Sequence, residues 1–248
     1  MHLINKVLSR AGLRLSRVSR TPAPAEFLSK YNQDLKQCRE LATDFAVFKE
    51  FYYDGGKHST SFVDSECAFA AKHIYQCSPD TILDIGSYRV FILGVLAHYR
   101  VTTIDVRERE NVAGNERAIS SDAKALLLQN DSFDAVVSLC AVEHFGLGRY
   151  GDEFDIDADK KAFAEMKRVL KPGGTLVFTT SITLAQPSIA FNGHRIYNLS
   201  MIHALCDGLQ LREECFFSHQ RGRFCSKDEV TAQKKKWDVY CGCWTKRA

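Results

Sequence analysis

The run Ile82-Leu83-Asp84-Ile85-Gly86-Ser87 decides the reading of this chain, with Ile104-Asp105, Asp122-Ala123 and Ser132-Phe133-Asp134-Ala135-Val136-Val137 behind it. An apolar strand ends in Asp-x-Gly, where glycine lets the backbone approach a ligand closely. A second strand, Val101-Thr102-Thr103-Ile104, ends in Asp105, and a carboxylate there can accept hydrogen bonds from both hydroxyls of a ribose. Asp122 and Ala123 come where a third strand ends, in reach of an adenine edge. Each piece alone is an ordinary strand-ending turn. In this order and at these spacings they describe one pocket.

The set resembles the class I S-adenosylmethionine (SAM)-dependent methyltransferases. The resemblance implies a Rossmann-like α/β fold. Its central sheet would be mostly parallel and seven-stranded, with helices on both faces and an antiparallel edge strand. It also implies SAM as cofactor, bound by Asp84, Gly86, Ser87, Asp105, Asp122 and Ala123. A dinucleotide enzyme uses much the same strands but expects G-x-G-x-x-G. Here Gly86 is followed by Ser87-Tyr88-Arg89-Val90, so no second or third loop glycine is left for a pyrophosphate. SAM carries no phosphate and tolerates that loss better. The bulky Tyr88 and Arg89 in the turn also give weight to a non-catalytic chain, one that binds SAM or nothing and serves as a scaffold in a glycan-assembly complex.

Outward from this run the chain alternates strands and helices, which implies a parallel sheet covered by helices. Strands are expected near 81–85, 101–105, 118–121, 134–140, 175–181, 209–217 and 238–245, the last two as an antiparallel pair at the sheet edge. Helices are expected over 26–50, 62–77, 89–99, 158–170 and 200–207. In the helix at 158–170, Ala162, Phe163, Met166, Val169 and Leu170 form an apolar stripe, and Pro172-Gly173-Gly174 should stop it.

The chain has 248 residues and is 45% hydrophobic, enough for one sizeable α/β core. Its formal charge is +3, yet residues 1–20 alone carry five basic residues and no acid, so the rest is slightly acidic at −2. A nucleic-acid enzyme more often carries a basic face on its body, so no nucleic-acid partner is expected. Ile4, Val7, Leu8, Ala11, Leu15 and Val18 share one face of a basic amphipathic helix over 3–18. That helix could lie on an anionic membrane surface, pack on its own domain or act as a presequence. Residues 1–25, ending in the Thr21-Pro22-Ala23-Pro24-Ala25 linker, are set apart from a methyltransferase domain over 26–248, of which 26–78 would form a helical cap. Tyr52, Tyr53 and His58 are lid candidates within it. The nine cysteines are scattered and contain no C-x-x-C, which reads as reduced thiols in a cytoplasmic protein rather than a zinc site. Cys241 and Cys243 fit alternate positions of one strand.

The second informative segment runs from Cys140 to Asp152, just past the fourth strand, where open α/β sheets place ligands. It gathers Glu143, His144, Arg149, Tyr150 and Asp152 among three glycines, and Phe191-Asn192-Gly193-His194-Arg195-Ile196-Tyr197 repeats the mixture after the fifth strand. Together with Met166 to Gly174, these blocks resemble a family known as a domain of unknown function, whose bacterial members accompany genes for surface polysaccharide synthesis. The family carries over its fold but not its acceptor; the expected reaction is O-methylation of a sugar or lipid-linked glycan precursor. Methyl transfer from a sulfonium is an in-line displacement that needs alignment and removal of the acceptor proton. His144 is the first candidate base and His194 the second, with Glu143 orienting His144 or touching the cofactor. Arg149, Tyr150, Arg195 and Tyr197 are the candidate acceptor-binding residues. Asp152, Asp155 and Asp157 could instead bind a divalent metal that lowers the hydroxyl pKa, although a solvated acidic loop before a helix is the better reading of them.

Overall fold

The computed structural model describes residues 23–51, 61–109 and 112–247. The expected front helix over 3–18 and the lid candidates Tyr52, Tyr53 and His58 lie outside the described residues. Two compact units are present, one containing residues 23–51 and the other everything from residue 61 onward. In the first, α1 (Ala25–Leu41) is shorter than the helix expected over 26–50. The backbone leaves it at Ala42, with ψ at 73°, ahead of the poor helix formers Thr43 and Asp44.

The second unit begins with α2 (Phe62–Cys77), launched by a capping box. Ser61 Oγ accepts from the Asp64 amide at 3.2 Å, and the Asp64 carboxylate accepts from the Ser61 amide at 2.7 Å. There follow β1 (Thr81–Ile85), α3 (Arg89–Val95), β2 (Arg100–Asp105), β3 (Glu116–Ser120), β4 (Phe133–Leu139), α4 (Ala158–Val169), β5 (Leu170–Ile182), β6 (Ser188–Ala190), β7 (His194–Ile196), α5 (Leu199–Leu205), β8 (Leu209–Ser218), β9 (Arg223–Cys225) and β10 (Asp238–Lys246). The main sheet runs β3-β2-β1-β4-β5-β10-β8-β9. From β3 to β5 every pairing is parallel, while β10 is antiparallel to both β5 and β8.

All seven expected strands are present, in a sheet widened by β9, which pairs antiparallel with β8 at the edge. The antiparallel strand β10 lies between β5 and β8 rather than outside them. A separate hairpin, β6–β7, has its turn and second strand within the polar Phe191–Tyr197 block and its first strand just before it. Helix α4 stops at Val169, three residues before Pro172: Leu170 is already extended and paired with Phe133. The register shift between Phe133 and Ala135 then absorbs the Lys171–Gly174 segment.

Strand alternation feeds two cores, one on each face of the sheet. Leu83, Val136, Leu176 and Phe178 meet Phe163, Met166 and Val169 of α4 and Ile202 of α5. Ile82, Ala135, Val137 and Val177 meet Phe69, Ala70 and Ile74 of α2 and Ile92 of α3. Full burial of a side chain such as Phe163 or Met166 stabilises by about 1.5–3 kcal/mol each. Cys241 and Cys243 fall on the same face of β10, as strand alternation requires, and all nine cysteines are free thiols. Among the described residues no helix is long and apolar enough to cross a membrane.

Candidate functional site

The chain leaves the sheet centre through β1, β2 and β3 and returns at β4, so a crevice opens at the carboxyl ends of these strands. Gly86, Asp105, Asp122 and Ala123 line that cleft together with Ile85, Ile104, Arg107, Cys140, Ala141 and Tyr150. Gly86 has φ +71°, and a Cβ there would lie 3.0 Å from the Ala141 Cβ. A side chain at this position would be strained and would fill the cleft floor.

Asp84 and Ser87 stand behind the cleft and shape its wall. The Asp84 carboxylate accepts from the Ser87 amide at 3.3 Å, and Ser87 Oγ accepts from the Leu139 amide at 3.0 Å, tying the end of β1 to the end of β4. Burial pushes Asp84 up to about 7, against the hydrogen bonds from Ser87. The bulky residues of the turn point away from the cleft. The Tyr88 hydroxyl reaches Glu66 and Cys140, and Arg89 pairs with the buried Glu116 at 2.7 Å. The steric objection raised by the missing glycines is thereby removed.

Asp105 sits half-buried on the rim. Arg107 donates to Oδ1 through its amide at 2.9 Å and its Nε at 2.8 Å, and to Oδ2 through Nη2 at 2.6 Å. Burial alone would raise this carboxyl, but the Arg107 bonds outweigh it and hold Asp105 below its ordinary value. The Arg107 guanidinium also lies over the Tyr150 ring, 4.6 Å from its centre, so one arginine links the rim of β2 to the loop after β4.

That loop is closed at its neck. The Asp155 amide donates to Gly146 O at 2.9 Å, and a Cβ on Gly146 (φ +68°) would overlap the Asp155 carbonyl. Arg195 and Tyr197, expected to bind an acceptor, are internal instead. Arg195 is 5% exposed and donates to the carbonyls of Phe145 at 2.5 Å, Asp155 at 3.3 Å and Ile156 at 3.0 Å. Tyr197 is 1% exposed and donates to Asp159 at 2.8 Å. Both hold the loop from below. The acids of the loop are also spoken for: Asp155 pairs with Lys161, Asp157 with Lys160, and Asp152 accepts from the Tyr150 amide.

His144 lies in a one-turn helix, Val142–His144, directly after β4. Its Nδ1 is 2.6 Å from Gly193 O at the tip of the β6–β7 hairpin. Nδ1 also lies 3.1 Å from Arg149 Nη1, but the Gly193 contact is the shorter of the two, and a proton on Nδ1 directed at that carbonyl leaves the lone pair on Nε2. Burial lowers His144 to about 4; the Gly193 bond opposes this, while Arg149 and His194 add to it. Arg149 Nη1 also donates to Gly193 O at 3.4 Å. Gly193 thus does the orienting that had been expected of Glu143. Glu143 is buried, accepts from Thr180 at 3.1 Å, and is pushed by burial up to about 7. From Tyr150 a row of rings continues through His144 (6.2 Å), His194 (6.3 Å), Trp237 (5.5 Å) and His219 (4.4 Å), by centroid separation.

Sheet order and cleft define the class I methyltransferase fold, and solved structures agree. The Burkholderia thailandensis 1,6-didemethyltoxoflavin-N1-methyltransferase, bound to S-adenosylhomocysteine, superposes with a TM-score of 0.57 at 14% identity over 93% of each chain. The N-methyltransferase NodS from Bradyrhizobium japonicum, also with S-adenosylhomocysteine, gives 0.51 at 20% identity over 88% of this chain and 99% of NodS. The [4+2]-cyclase SpnF gives 0.57 at 14% identity over 90% of this chain and 94% of its own. No curated protein sequence matches. The chain itself belongs to the family described as "Caenorhabditis protein of unknown function, DUF268", whose model matches residues 101–237, more than half of its length.

Proposed function

We propose that this chain is a SAM-dependent methyltransferase that methylates a hydroxyl group of a sugar or lipid-linked glycan precursor. The observation that carries the reading is the cleft, where a carboxylate sits on the β2 rim and a glycine with φ +71°, whose Cβ would crowd Ala141, forms the floor. The two oxygens of Asp105 suit a ribose diol, which would compete with Arg107 for them. Ile104 and Ala123 offer apolar walls for an adenine beside Asp122. Bound there, SAM supplies an already activated methyl group. The residues of the chain then align the acceptor and take its proton, for which neutral His144 has Nε2 free. Arg149, His194 and Trp237 combine hydrogen-bonding groups with ring faces, a mixture suited to a sugar.

The same fold carries a cyclase in SpnF, so the scaffold by itself does not assign methyl transfer. A small-molecule or lipid-linked acceptor fits the nearly neutral body better than a nucleic acid does. A cytoplasmic protein touching a membrane through the basic, apolar-striped residues 3–18 is part of the same proposal.

Calorimetry with SAM and S-adenosylhomocysteine tests the donor. Asp105→Ala loses hydrogen bonds to a charged group worth about 1.5–3 kcal/mol each, so SAM affinity should drop by at least roughly tenfold. Asp105→Asn, which keeps one acceptor, should be milder. Unchanged affinity in a folded Asp105→Ala protein would sink the ribose assignment.

A further inference from the structure

Behind the Cys140 wall of the cleft lies an acid that the reading above does not use. Glu66 is in the second turn of α2 and is 0% exposed. Phe69, Ala70 and Ile74, one and two turns on, anchor that face of the helix to the sheet and carry Glu66 in with them. One Glu66 oxygen accepts from the Cys140 thiol at 2.7 Å and the carboxyl lies in reach of the Tyr88 and Thr179 hydroxyls, while buried Oε2 itself makes no hydrogen bond. Cys140 is fixed in turn. Its φ is +45°, and its amide donates to Thr179 Oγ1 at 2.9 Å. The left-handed backbone is unfavourable for a residue with a Cβ and places this one residue both in the cleft lining and against Glu66.

The groups that face Glu66 come from five elements. They are Cys67 on α2, Tyr88 after β1, Cys140 and Glu143 after β4, Thr179 on β5 and Cys241 on β10. None of them is a cation. Burial pushes both Glu66 and Glu143 up to about 7, well above an ordinary carboxyl. Ion pairing or a cationic ligand is what ordinarily stabilises such a group in its charged form. Here Cys140, which touches Glu66, also lines the cleft, so a single side chain lies between the acid and that space.

We propose that Glu66 is the counter-charge of the donor cleft, selecting a cationic sulfonium donor over the uncharged thioether that it becomes. The inference rests on the donor reading above. Charges separated by the thickness of one side chain still interact strongly at the effective dielectric of a protein interior. Loss of the methyl group removes the positive charge from sulfur, so the same carboxylate that favours the donor ceases to favour the product.

The test is calorimetric titration of the full chain and of Glu66→Gln with SAM and with S-adenosylhomocysteine. Glu66→Gln should weaken SAM by roughly tenfold and the thioether by less than about twofold. Retained thioether affinity also reports an intact cleft. A second measurement needs no variant. A cation entering the cleft lowers the pKa of the buried acids, so at pH near 7 SAM should release protons, measured in two buffers of different ionisation enthalpy, and the thioether should not. If the unaltered protein binds neither ligand, the donor reading falls and this one with it. If it binds both, equal effects of Glu66→Gln on the two ligands, or equal proton release, overturn the counter-charge and leave the donor reading standing.

Discussion

Arg195→Ala is expected to cost the fold about 3–5 kcal/mol, the range for removing one partner of a buried charge pair. Arg195 and Asp159 are 5% and 4% exposed, and Arg195 Nε lies 3.6 Å from Asp159 Oδ2. Asp159 Oδ1 already lacks a partner, so the truncation leaves a buried carboxylate supported chiefly by the Tyr197 hydroxyl. The same change removes the Arg195 bonds to the carbonyls of Phe145, Asp155 and Ile156, of which Asp155 keeps the Ala158 amide as a donor. Those three carbonyls bracket the loop that carries Tyr150 to the cleft. Urea denaturation at neutral pH measures the loss. Adding Asp159→Asn to Arg195→Ala should recover at least ~1 kcal/mol, because the stranded charge is then gone. A loss below about 1 kcal/mol for the single variant would show that the pair and its carbonyl bonds are not what closes this loop.

The contrast between Arg195 and Asp105 shows what a sequence can reveal about such a site. Asp105 was legible because a strand of apolar residues fixes where its own end must lie, and the carboxyl edge of a parallel sheet faces the crevice. Gly86 and Ala123 follow by the same logic. Arg195 has the residue type of a ligand-binding arginine and sits in a polar block after a strand. Its direction is decided by a hairpin, β6–β7, whose short strands carry too little periodicity to be read. The Nδ1 proton of His144 depends on Gly193, forty-nine positions away, and no local pattern carries that information. Glu66 did leave a trace. It shares the helical face of Phe69, Ala70, His73 and Ile74, all buried, and an acid within an apolar stripe is a signal in itself. The bulky turn after Gly86 misled in the opposite sense. Tyr88 and Arg89 look obstructive in sequence, yet each finds a buried carboxylate that draws it away from the cleft.

His144→Ala is expected to lower turnover by about 10²–10⁴-fold, the usual contribution of a positioned base, with SAM affinity nearly unchanged. As a base His144 would be a weak one, since burial holds it at about 4. Weakness is compatible with this chemistry. A hydroxyl that has begun to bond a methyl carbon turns into a strong acid, and its proton needs only a nearby lone pair to accept it. A neutral imidazole that stays neutral at every physiological pH is always ready, whereas an ordinary histidine would be partly protonated near pH 6.5. The sign follows directly. Protonation of His144 blocks Nε2, so the rate should be flat above about pH 5 and fall toward and below pH 4, if the protein remains folded there. His194→Ala should keep both most of the turnover and that acid limb, because His194 neighbours the base through ring contact at 6.3 Å without holding its proton. His144→Gln is the sharper probe, since it preserves a polar contact to Gly193 O while removing the basic nitrogen. Full turnover in both His144 variants, measured as labelled methyl transferred to the acceptor, would exclude His144 as base and leave alignment alone to account for the rate.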